Sequence, residues 1–205
     1  MKNCIFTAHC TEEICDQSCP ILVETSYLME RSGISSNSSV FNSKGSDLTL
    51  ACDVLKEFSG KFGVLKVDDT VKYAELLTYI AICQNWKGSQ LHCTVYNLKY
   101  STYLDEERKS WSRDTPFDDL EYMNIWSNAA KVLIISNFDY VNFGDFESQK
   151  LLNLLQTRSQ KNLTTIMVCP TSGIVTKTAQ ANSFPSILKQ RMNAVTFKKT
   201  GVTTN

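Results

Sequence analysis

Residues 131–172 read KVLIISNFDYVNFGDFESQKLLNLLQTRSQKNLTTIMVCPTS. Residues 131–139 carry the most apolar run of the chain and read as a strand. Residues 145–160 form an amphipathic helix, and residues 163–170 are a second apolar strand. Strand, helix and strand in this order make a βαβ unit, whose two strands lie parallel because the helix carries the chain back. Such uninterrupted apolar strands belong to a sheet covered on both faces, so 131–139 is expected at an interior position.

The same alternation extends both ways. Upstream, 47–60 reads as a helix started by Ser46 or Asp47 and closed by Gly60. Residues 62–67 are a short strand, and 70–86 a helix apolar nearly all round and so expected to be buried. Residues 92–98 form a strand, 99–117 a polar irregular stretch and 117–129 a helix with an acidic start. Downstream, 183–192 reads as a helix and 193–199 as a last strand. The pattern predicts an α/β fold with a parallel sheet covered by helices on both faces.

Residues 62–72, FGVLKVDDTVK, stand where such a fold would hold phosphate. A phosphate loop reads G-x-x-x-x-G-K-[ST]: glycines let backbone N–H groups close on phosphate, Lys meets its charge and the hydroxyl holds Mg²⁺. Counting back from Lys72, the glycine positions hold Lys66 and Val71, and the hydroxyl position holds Tyr73. Asp68 and Asp69 would repel a triphosphate. Lys72 has two readings, a remnant phosphate-binding lysine and a solvated lysine at a helix start.

The ordered set over residues 47–201 resembles the AAA+ family, in its bacterial replicative-helicase loader branch (DnaC/DnaI-like). It is carried by residues 131–172 and by ILKQRMNAVTFKKTG at 187–201. The resemblance implies a P-loop NTPase-like (AAA+/RecA-like) domain. It places the Walker B acidic pair on Ser136 and Asn137, with Asp139 the nearby carboxylate. The polar sensor falls near Thr171 and Ser172, and an arginine finger on Arg191, which also reads as a surface salt-bridge residue. Loop glycines, Mg²⁺ hydroxyl, Walker B pair and sensor all depart from the family pattern. Phosphoryl transfer depends on positioning and on neutralisation by Mg²⁺, so these departures predict loss of ATP hydrolysis. Lys72 and Asp139 are then a vestigial nucleotide site. The resemblance further implies docking on a replicative helicase through the N-terminal region, or action beside an active AAA+ subunit.

The chain has 205 residues, 42% of them apolar, and zero formal net charge. This balance suits a globular domain with a real core and gives no overall steering toward nucleic acid. No apolar run approaches the ~20 residues that span a bilayer. The start, MKNCIFTAHC, has no signal-type apolar core, so a cytoplasmic location is expected. Of eight cysteines, Cys52, Cys83, Cys93 and Cys169 are scattered and read as core residues. Cys4, Cys10, Cys15 and Cys19 make a compact thiolate set for Zn²⁺ or a 4Fe–4S cluster, with His9 spare. Unligated thiols are the plain alternative. Residues 1–31 therefore read as a Cys-rich metal-binding head with a helix at 21–31. Residues 32–46, rich in Ser and Asn, read as a flexible linker, and 47–205 as the α/β domain.

In residues 96–117, Tyr96, Tyr100, Tyr103, Trp111 and Phe117 interleave with Lys99, Arg108, Lys109 and Arg113. That mixture fits single-stranded DNA by stacking and phosphate contact, or an ordinary packed loop. Three functions follow: a noncatalytic adaptor in the DNA replication of a bacterium, phage or mobile element; a divergent ATPase; and a metal-containing nucleic-acid-binding or redox-sensing regulator.

Overall fold

The computed structural model describes residues 29–30, 32–34, 38, 40, 43, 45–85, 95–112, 118–138, 141, 143–172 and 195–198. In chain order they form α1 (Gly45–Glu57), β1 (Phe62–Val67), α2 (Thr70–Asn85), β2 (Val95–Lys99), α3 (Tyr100–Lys109), α4 (Asp118–Ala129), β3 (Val132–Ser136), α5 (Asp145–Gln160), β4 (Thr164–Pro170) and β5 (Val195–Lys198). The five strands lie in the order β2-β3-β4-β1-β5, and every pairing is parallel. This is an α/β fold compatible with a P-loop-like one. The βαβ unit of residues 131–172 is present, with Val132 opposite Thr164 and α5 as the crossover. As expected, β3 is an interior strand.

Alternate residues of each strand feed opposite faces, as a pleated strand requires. Leu65, Val67, Val95, Val132, Ile134, Ile166 and Val168 face a cluster built by α1 and α2, including Val54, Phe58, Ala74 and Leu77. Tyr96, Leu98, Leu133, Ile135, Met167 and Cys169 face a second cluster with Tyr100 and Leu104 of α3 and Leu151 and Leu155 of α5. Each fully buried Leu or Ile contributes about 1.5–3 kcal/mol of transfer free energy. The two layers therefore hold the sheet between the helices on its faces.

Three features differ from the sequence expectations. Residues 100–109 are not irregular: they form α3, burying Tyr100, Tyr103, Leu104 and Glu107 at helical spacing. The described part of the expected linker is packed rather than loose. Ser32, Ile34, Ser38 and Val40 are buried, and Ile34 and Val40 join the α1–α2 cluster. Ser32 Oγ donates to the Val95 carbonyl at 3.2 Å, and Ser38 Oγ donates to Glu75. Those contacts anchor the segment to β2 and α2. Among the scattered cysteines, Cys169 is buried but Cys52 is only half-buried.

At the amino ends of the strands, Arg158 of α5 is fully buried. Its Nε donates to Thr165 Oγ1, and its two terminal nitrogens donate to the carbonyls of Ser127 and Thr164, all at 2.8 Å. The Ser127 carbonyl lies in the last turn of α4, where helical carbonyls lack partners. Burial pushes the guanidinium down to about 10.

Burial pushes the Tyr103 phenol up to about 12, with Glu107 adding to the shift, and raises Tyr100 well above its ordinary value. Between pH 10 and 12 an unfolded chain releases these protons while the folded chain keeps them. Folded-state stability from the tyrosines is therefore fully present below pH 10 and is lost as pH rises toward 12. Arg158 acts with the opposite sign, since its depressed value relieves a burial cost over the same window. With two tyrosines against one arginine, urea unfolding should show stability falling from pH 10 to 11. Tyr103→Phe should flatten that fall, and a rise in stability over the window would contradict the assignment.

Candidate functional site

In an open α/β sheet the ligand crevice lies beyond the carboxyl ends of the strands. Here that edge carries the β1–α2 connection, the end of β3 and the end of β4. Val67 and Pro170 are register partners, so the residues after β1 and after β4 are neighbours.

The connection from β1 to α2 is only Asp68 and Asp69. The two positions that would need glycine are not in a loop at all. Lys66 is a β1 residue paired with Cys169 and Lys198, and Val71 lies in the first turn of α2. A phosphate loop has to arch over its ligand between those positions, and two residues cannot do so.

The donors that would meet phosphate are already engaged. Asp69 caps α2: its Oδ1 accepts from the Lys72 backbone N–H at 2.9 Å, and its carbonyl accepts from the Tyr73 N–H at 3.2 Å. A carboxylate here satisfies orphan donors and complements the positive end of the helix dipole. Asp68 Oδ1 accepts from Thr171 Oγ1 at 2.6 Å, tying the end of β4 to the turn. Lys72 Nζ reaches back to Asp47 Oδ2 at 2.8 Å, and Tyr73 donates its hydroxyl to Asp47 Oδ1 at 2.5 Å. Asp47, in the first turn of α1, is only 4% exposed. Its charge is thus met by one ammonium and one phenol, and the lysine is directed to α1 rather than across the turn.

At the Walker B place Ser136 is buried and donates to Asn97 Oδ1 at 3.0 Å. Asn137 follows in the left-handed region at φ 62°, a conformation Asn tolerates better than most residues. Thr171 and Ser172 are exposed. The structure therefore brings Lys72, Asp47, Asp68, Asp69 and Thr171 to one edge. Asp139, Arg191, Cys4, Cys10, Cys15, Cys19 and His9 lie outside the described residues, as do the Cys-rich head and most of the helix expected at 21–31. Among the described residues no group of His, Cys, Asp and Glu is placed to hold a metal ion. Among them also, no helix is long and apolar enough to cross a membrane.

The interleaved surface expected at 96–117 is not formed by its described part. Tyr96, Tyr100 and Tyr103 are core residues, with Tyr100 stacked on Phe143 at 5.8 Å and bonded to the Glu147 carbonyl at 2.6 Å. Arg108 pairs with Asp105 and Glu147, and Lys109 with Glu106. Of the set's described aromatics, Trp111 alone stays in solvent, 63% exposed and edge-on to Phe146 at 5.3 Å. Among the described residues this leaves one exposed ring beside the ion-paired Arg108 and Lys109, short of the several rings a strand-binding platform stacks on.

Sequence reasoning did not find Asp47 as the partner of Lys72, because the two are 25 residues apart and no local pattern links them. It also passed over Asn97, a polar residue buried between Tyr96 and Leu98 in β2. No protein-family model matches the chain, and no curated protein matches it either.

Proposed function

We propose that the chain is a noncatalytic AAA+-like adaptor of the helicase-loader kind, working in DNA replication of a bacterium, phage or mobile element through protein–protein contacts. The observation that carries the reading is the turn of Asp68 and Asp69, in which a carboxylate of the chain itself caps α2 where phosphate would sit. ATP hydrolysis needs Mg²⁺ held by a hydroxyl and a carboxylate, and a lysine on the phosphates. Here the phenol and the lysine both serve Asp47, and Ser136 serves Asn97. The resemblance of residues 47–201 to the loader branch supplies the partner class, a replicative helicase or an active AAA+ subunit. The Cys4, Cys10, Cys15 and Cys19 head is proposed to hold Zn²⁺ or an iron–sulfur cluster. Arg191 is proposed to reach a neighbouring subunit's nucleotide.

Full-length protein with Mg²⁺–ATP should show no turnover above background. Equilibrium dialysis should find no nucleotide affinity tighter than about 1 mM. The same preparation should co-elute with a purified replicative helicase. Turnover that disappears in Lys72→Ala would overturn the noncatalytic reading, and failure to co-elute would remove the loader assignment.

A further inference from the structure

The chain has zero formal net charge, yet its charges are sorted along the strands. Lys131 precedes β3, Lys161 closes α5 just before β4, Lys61 precedes β1, and Lys56 lies in the last turn of α1. All four therefore gather at the amino ends of the strands. Because β3, β4 and β1 are consecutive in the sheet, the strand starts that carry Lys131 and Lys61 lie about 10 Å apart. The four lysines are exposed. None has a side-chain hydrogen bond or ion pair among the described residues, whereas Lys72, Lys109 and Lys150 are each held by a carboxylate.

The same end holds a fifth cation, Arg158, which is fully buried, donates to the Thr164 carbonyl and has no carboxylate within ion-pair distance among the described residues. Against these five cations stand Asp53 and Glu57 of α1, and the last turns of α2, α4 and α5 carry no carboxylate. A surplus of one sign at a single end makes a local field although the whole chain is neutral. The lysines are not spent on closing helices. The Ser59 and Lys61 N–H groups donate to the Lys56 and Phe58 carbonyls, and those of Lys161 and Leu163 to the Arg158 carbonyl.

Between Lys56 and Lys131 runs a cavity of about 730 Å³, lined also by Ser59, Gln84 and Asn162, with Asp53 the carboxylate of its described lining. Hydroxyl and amide groups beside lysines are the set that meets phosphate oxygens of a nucleic acid. The exposed rings, Trp111 and Phe146, lie after α3 and at the start of α5, at the other end of the strands. Bases thus find no exposed ring to stack on among the described residues of the amino end, which disfavours a single strand. A duplex needs phosphate contacts alone.

We propose that the amino end of the sheet is a sequence-independent docking face for the phosphate backbone of a nucleic-acid duplex. Lys56, Lys61, Lys131 and Lys161 neutralise phosphates. Ser59, Gln84 and Asn162 donate to phosphate oxygens in the cleft, and buried Arg158 adds to the field without touching the ligand. Neither helicase nor nucleotide enters the measurement, so this face and the adaptor reading fail separately.

The test titrates full-length protein against a fluorescein-labelled DNA duplex of about 20 base pairs, by anisotropy over a range of NaCl concentrations. Four phosphate contacts give a slope of log affinity against log salt of about −3.5. Lys131→Gln/Lys161→Gln should make that slope shallower by about 2 and weaken binding at least about tenfold at low salt, with thermal unfolding unchanged. Lys56→Gln/Lys61→Gln should do the same from the α1 side. Lys99→Gln, which removes an exposed lysine at the carboxyl end of β2, should leave slope and affinity as they were. A duplex affinity that neither double variant changes would overturn the assignment, as would an equal loss in Lys99→Gln. So would a single strand of the same length binding at least about tenfold tighter than the duplex, or polyglutamate competing as well as the duplex, which would mark a surface for acidic proteins.

Discussion

Gly63→Ala is expected to cost about 3 kcal/mol of folding stability, the effect of a single methyl group. Gly63 lies in β1 on the face covered by α1, and a Cβ there would overlap Cδ1, Cε1 and Cζ of the Phe58 ring. Neither side can yield cheaply. Phe58 is fully buried, and its backbone is held by the bond from its N–H to the Val54 carbonyl at 3.0 Å. The Lys61 N–H donates to the Phe58 carbonyl at 2.9 Å. The strand is fixed from both sides by β4 and β5. Close-packed interiors answer such an insertion with off-rotamer side chains or backbone shifts. Chemical denaturation should show the loss as a lower midpoint with unchanged slope. Phe58→Leu should cost less when Gly63→Ala is already present, because the two residues share one space. A Gly63→Ala midpoint within about 0.5 kcal/mol of the parent would mean that α1 and β1 are not packed as described.

The same close approach explains part of what the sequence showed. A glycine inside FGVLKV does not disturb the apolar run, so the strand at 62–67 was legible and its bounds are those observed. β3, α5 and β4 were legible for the same reason, since apolar runs and a three-to-four spacing are local properties. The order β2-β3-β4-β1-β5 was not, because it depends on which strands meet after the crossovers. α3 was misread through composition. YSTYLDEERK is polar on average, and its helical signal is confined to Tyr100, Tyr103, Leu104 and Glu107. Counting tyrosines and lysines together suggested an exposed binding surface, whereas the helix sends the tyrosines inward and leaves the charges to pair outside.

The segment before α1 shows the opposite limit. Ile34 and Val40 are isolated apolar residues among serines and asparagines, and no average over 32–46 distinguishes them from a linker. What makes them core residues is the neighbouring surface of α2 and β2, supplied by chain far downstream. The candidate site was half legible for the same reason. The degenerate loop could be read residue by residue. That Lys72 turns to Asp47, and that Asp69 caps the helix in place of phosphate, follows only once α1 lies beside α2.

Arg158→Ala is expected to be the most damaging truncation in the domain, at about 3–5 kcal/mol. Arg158 is among the largest fully buried side chains and has no carboxylate within ion-pair distance among the described residues. Its cost of burial is met by three bonds, to Thr165 Oγ1 and to the Ser127 and Thr164 carbonyls. These join the end of α4 to the start of β4, so truncation opens a cavity and takes a donor from each of the two carbonyls. Arg158→Met separates the two losses: it keeps most of the volume and removes every donor, and should retain part of the stability lost in Arg158→Ala. Arg158→Lys should fall short of the parent, because a single ammonium cannot reproduce the guanidinium fork. These effects belong to the amino ends of the strands, opposite the Asp68–Asp69 turn. Arg158→Ala with parental stability, or Arg158→Met no better than Arg158→Ala, would show that the three bonds do not hold α4 to β4.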